Sequence, residues 1–118
     1  MSIFDEAKRQ QLAIKLERLN SNFNEPEFEA VYKEFKTLQN LVLFHEIEVW
    51  LLQLVEKEIF IAWGILAGLY FEIRDFPNAK EFAFRANEKF PNTKIWENIM
   101  EGSIWEEFED FWNNNPSD

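Results

Sequence analysis

Cysteine is absent from the chain, and that one absence removes disulfides, thiolate zinc centres and cysteine nucleophiles together. It also agrees with a reducing compartment. Histidine is nearly absent: His45 stands alone, so the metal motifs that need two histidines cannot be assembled here. Three Gly and four Pro among 118 residues are too few chain-breakers for a many-turned β fold and favour long helices. No glycine-rich phosphate loop occurs. The longest apolar run, Ile59 to Phe71, covers thirteen residues between Glu58 and Glu72, short of the about 20 that a membrane span needs. Met1 to Glu6 lacks a basic stretch followed by an apolar one, so no secretory signal is read and the expectation is a cytoplasmic protein without a membrane partner.

Positive charge is scarce as well. Lys and Arg number 12 against 22 Asp and Glu, for a net charge of −10. Residues 1–20 sum to +1, residues 21–60 to −5, residues 61–93 to zero and residues 94–118 to −6. Such a field repels nucleic acid and anionic lipid and favours a cationic protein partner. The same acidity also serves ordinary solubility.

Aromatic residues are plentiful, with thirteen Phe and five Trp. Each removes roughly 150–250 Å² from water when buried, so the core has ample material. The length suits one domain, expected over residues 1–112, with residues 113–118 as a disordered tail. Phe4, Ala7, Leu12, Leu16, Leu19 and Phe23 recur at near-helical spacing, with Ser2 as cap, Asp5 beside the first N–H groups and a turn at Asn20 to Asn22. A second helix starts near Pro26 with the stripe Phe28, Val31, Tyr32, Phe35 and Leu38. A third runs from Leu41 to about Lys57 with Phe44, Ile47, Leu51, Leu54 and Val55, although residues 26–57 are also compatible with one continuous helix. The Ile59–Phe71 run is apolar on every face and so must be sandwiched between neighbours. Arg74 to Pro77 breaks that helix, and the next begins around Pro77–Asn78 and ends before Phe90-Pro91. A last helix begins at Asn92 or Thr93 and carries Trp96, Ile99, Met100, Ile104, Trp105, Phe108, Phe111 and Trp112.

Trp63, Leu66, Ala67, Tyr70, Ala79, Ala86 and Pro91 resemble the tetratricopeptide pattern W-x2-L-G-x2-Y followed by Ala, Ala and Pro. Trp63, Leu66 and Tyr70 share one helical face, while Ala79 and Ala86 let a second helix come close. Two positions depart from the pattern: Ala67 replaces the preferred Gly, and Ala83 stands where a large aromatic is common, with Phe82 and Phe84 beside it. A lone unit cannot bury both faces, so neighbours are required. The resemblance implies an all-α fold, a short right-handed stack of five or six helices, and binding of a protein or peptide without catalysis or cofactor. It implies a concave groove at Ile61, Gly64, Gly68, Phe71 and Glu72, flanked by Lys33 and Lys36 on one side and Glu97 and Glu101 on the other. The alternative is that the chain's own first helix fills that groove.

A second candidate surface is Trp105 with Glu106, Glu107, Glu109 and Asp110, next to Glu97 and Glu101. Either its aromatic stripe caps the stack and the acids are solvated, or the aromatics anchor a partner whose Lys and Arg meet the acids. Catalysis has little support. His45 lies in an amphipathic helix, and pairs such as Glu46/Glu48 or Glu106/Glu107 do acid–base work only when placed in a cleft with separated pKa values. The expected function is an acidic inhibitor or immunity protein that neutralises a basic partner such as a toxin or nuclease, with a groove-binding chaperone or scaffold as the alternative.

Overall fold

A computed structural model describes residues 3–91, which form five helices and no strand: α1 (Glu6–Ser21), α2 (Glu25–Gln39), α3 (Phe44–Glu56), α4 (Ile61–Glu72) and α5 (Phe76–Lys89). The fold is all-α, as the scarcity of chain-breakers requires. The expected last helix and the tail at 113–118 lie outside the described residues.

Three helices open on a short polar side chain that accepts a hydrogen bond from the N–H three residues on. Asp5 accepts from Lys8 at 2.9 Å, Asn24 from Glu27 at 3.0 Å and Asp75 from Asn78 at 3.4 Å. Asp5 is therefore the cap of α1 itself, one turn later than the Ser2 cap expected from the sequence. Ala7 is exposed, while Phe4, Leu12, Leu16 and Leu19 are buried. Pro26 and Pro77 occupy the first turns of α2 and α5, where a missing N–H costs nothing.

Residues 26–57 form two helices. Asn40 closes α2, its N–H reaching the Thr37 carbonyl at 3.2 Å. Leu41 to Leu43 then turn the chain, so α3 begins at Phe44 rather than at Leu41.

The α3 and α4 ends share one geometry. Glu58 and Arg74 follow the C-caps with φ of 66° and 63°. Ile59 N–H bonds the Leu54 carbonyl at 3.0 Å and Glu58 N–H that of Val55 at 2.9 Å; Asp75 bonds Tyr70 at 2.9 Å and Arg74 bonds Phe71 at 3.0 Å. These are Schellman closures, which normally use Gly at the left-handed position. A side chain there costs about 1–2 kcal/mol, offset by the hydrogen bonds and, after α3, by burial of Leu54 and Ile59.

Helix α4 is the centre of the fold and contacts all four other helices, as its uniformly apolar surface demands. It pairs most closely with α5. The two run antiparallel: Phe60 meets Lys89, Trp63 meets Arg85, and Phe71 meets Phe76 beside the turn. Ala79, Ala83 and Ala86 are fully buried at steps of four and three on α5, which leaves room for a close approach. Phe82 supplies aromatic bulk by stacking on Tyr70 at 5.4 Å. Phe84 does not share that place; it is 41% exposed.

Candidate interaction surface

The polar ends of α4 are held from other helices. At its N-terminus the Asn20 carboxamide, in the last turn of α1, accepts from Ile61 N–H at 3.0 Å and donates to the Glu58 carbonyl at 3.1 Å. At its C-terminus Gln39 of α2 donates to the Leu69 carbonyl at 3.1 Å. There Glu72 accepts from the Tyr32 hydroxyl at 3.3 Å and pairs with Lys36 at 3.3 Å. Burial, and then the charge of Glu72, hold the Tyr32 phenol protonated far above its ordinary range.

These contacts place the groove residues expected from the sequence. Ile61, Gly64, Gly68 and Phe71 are buried, and only Glu72 reaches the surface. Helix α1 lies against both α2 and α4, the helices that would line such a groove. Lys33 is exposed, and Lys36 is committed to Glu72. Glu97, Glu101, Trp105, Glu106, Glu107, Glu109 and Asp110 lie outside the described residues.

A second ion cluster joins α1 to α2. Lys8 and Lys15, two turns apart on α1, each donate to one oxygen of Glu34 at 2.9 Å. Partial burial works against ionisation of Glu34, but the hydrogen bonds from Lys15 and Lys8 and their charges outweigh it, so the carboxyl lies below its ordinary value. A depressed carboxylate stabilises the fold above its unfolded pKa of about 4.5 and loses that contribution as pH falls through the folded value. The stability difference between wild type and Glu34→Gln is therefore expected to be largest near neutrality and to vanish in acid. Thermal unfolding of both proteins from about pH 7 to pH 3 measures it; a difference that grows on acidification would contradict the assignment.

His45 is exposed, with Nδ1 at 3.1 Å from Glu48. The other Glu48 oxygen accepts from the Tyr70 hydroxyl, which ties α3 to α4. Among the described residues no group of three His, Cys, Asp or Glu side chains is placed to hold a metal ion. No described helix is long and apolar enough to cross a membrane.

Two hollows lined by described residues flank α1. The larger of these, about 560 Å³, lies between α1 and α3 over Phe4, Ala13, Trp50 and Leu54, and Asp5, Glu6, Arg9 and Lys57 also line it. Phe4 and Trp50 meet edge to face at 5.4 Å, and the Arg9 guanidinium rests 4.5 Å above the Phe4 ring while bonding the Phe4 carbonyl at 3.1 Å. The smaller, about 370 Å³, is lined by Ile3, Lys8, Glu34, Thr37 and Leu38. Trp50 had a sequence signal: it stands at i+3 from Ile47 and four before Leu54, in the core register of α3.

The exposed side of α3 adjoins the larger hollow, which Gln53 also lines. It presents Val49 and Leu52 between Glu46 and Glu56. Neither of these two glutamates, nor exposed Glu25 and Glu58, has an ion-pair partner among the described residues. No family model, curated protein or solved structure matches this chain.

Proposed function

We propose that this chain is a non-enzymatic binding protein that covers a basic surface on a specific protein partner, most concretely an inhibitor or immunity protein that neutralises a cationic toxin such as a nuclease. The observation that carries this reading is the uncompensated acidity. The net charge is −10, and exposed Glu25, Glu46, Glu56 and Glu58 are not spent on ion pairs among the described residues. A field of one sign speeds encounter with the opposite sign and rejects like-charged competitors. The frame we infer for it is a tetratricopeptide-like hairpin at α4–α5 with degenerate neighbours, whose rigid helices hold the charges in place. The C-terminal block with Trp105, Glu106, Glu107, Glu109 and Asp110 belongs to the same reading, its aromatics as anchors and its acids as steering groups. A groove-binding scaffold is less well supported, because Ile61, Gly64, Gly68 and Phe71 are buried.

The test is a pull-down from the host with the full chain immobilised, eluted by salt from about 50 to 500 mM, with identification of the retained protein. The expected partner is strongly basic and is released as the Debye length shrinks. Retention of no basic protein, or binding indifferent to salt, would sink the reading.

A further inference from the structure

Most large apolar side chains of the described residues are inside, yet four exposed ones gather at α3 and the turn before it. Leu41 is 62% exposed, Leu43 72%, Val49 39% and Leu52 36%. Glu46, Val49, Gln53 and Glu56 follow one another at steps of three and four, so they lie along one side of α3, with Leu52 next to Val49. Ten residues separate the two carboxylates, which is about 15 Å of helix.

Glu46 stands in the first turn, where the helix dipole favours it; Glu56 stands in the last, where the dipole opposes it. No basic residue in that last turn relieves Glu56. Lys57, the C-cap, lines the α1–α3 hollow and makes no ion pair among the described residues. An external cation would remove this unfavourable placement.

We infer that the outward face of α3, with the Leu41–Leu43 corner, docks a basic amphipathic helix of the partner protein. The occupant follows from charge. A second copy of this chain would bring Glu46 and Glu56 against the same groups across a twofold axis. The chain's own residues 94–118 carry one basic group against seven acidic ones, the same sign again. A cationic helix lying along α3 meets both carboxylates with Lys or Arg about ten residues apart and covers Val49 and Leu52 with apolar residues between them. This inference rests on the basic-partner reading above and adds the docking face.

The experiment titrates the full-length chain against a fluorescein-labelled synthetic helix of Leu and Lys, apolar on one face, and follows anisotropy at low salt. Wild type is expected to bind. Glu46→Lys with Glu56→Lys, and separately Leu43→Ser with Leu52→Ser, are each expected to weaken binding by about tenfold or more. Their circular dichroism and Tm should stay at wild-type values, because these sites are exposed. Glu17→Lys with Glu88→Lys, an equal change of charge on α1 and α5, is expected to have a much smaller effect. Unchanged affinity in the α3 variants, with loss only on reversing Glu106, Glu107, Glu109 and Asp110, would overturn the docking face and leave the basic-partner reading standing. Failure of wild type to bind the peptide would overturn the docking face too, and the host pull-down judges the wider reading independently. A wild-type dimer in sedimentation that Leu52→Ser dissociates would show a second copy on this face and overturn the inference.

Discussion

Replacing Phe35 with Ala is expected to destabilise the fold by about 3–5 kcal/mol. Phe35 is fully buried on α2, with its ring centroid 6.2 Å from that of Trp50 on α3. Trp50 in turn meets Phe4 edge to face. Phe35 therefore supports an aromatic row that joins α2, α3 and the segment leading into α1. Truncation removes the transfer free energy of the ring and leaves a cavity that rigid helices close only in part. Phe35→Leu keeps much of the volume and should lose clearly less. Denaturant unfolding followed by circular dichroism gives both values. An Ala variant within about 1 kcal/mol of wild type would mean that the row is not a packed part of the core.

Asn20→Ala is the second large effect, at about 1–3 kcal/mol. The loss comes from two bonds made by one side chain. The Ile61 N–H is left without its cap in a partly buried setting, and the Glu58 carbonyl loses its donor at a turn already held at positive φ. Asn20→Asp keeps the acceptor for Ile61 and loses the donor for Glu58, so its cost should fall between wild type and Ala. Hydrogen exchange separates the two bonds: the Ile61 amide should lose protection in the Ala variant and retain it in the Asp variant. Equal stability of wild type and Asn20→Ala would remove Asn20 from the account of how α4 starts.

The contrast between these two residues says how much the sequence could tell. Phe35 belongs to a stripe with Phe28, Val31, Tyr32 and Leu38 whose period alone assigns an inward face, and all five are buried. The Ile59–Phe71 run required neighbours on every side, and α4 has them. The small buried side chains Ala79, Ala83 and Ala86 line α5, the helix packed closest to α4. Each of these properties is local. Apolar period, caps and breakers act within one or two turns, so the chain states them wherever its helices end up.

Asn20 is different. Its partners lie 38 and 41 residues away, and in the sequence it reads as turn chemistry beside Ser21 and Asn22. Gln39 on the Leu69 carbonyl and Glu34 between Lys8 and Lys15 are of the same kind. A polar side chain between helices finds its partner through their crossing angle and axial offset, which depend on the packing of the whole set and not on any local period. The same holds for the candidate surfaces. Ile61 and Phe71 were assigned to a groove by resemblance, and their burial is set by the packing around α4. Leu41 read as the first residue of a helix, and the turn before α3 leaves it exposed.

Sequence alone therefore determined an all-α chain, its apolar central helix and its excess of acid. Tertiary packing decided which polar groups clamp that helix and which carboxylates remain uncompensated at the surface. The physical reason is one of range: burial of an apolar stripe is demanded by the stripe itself, whereas a partner for a charge or an amide exists only once another helix has arrived beside it.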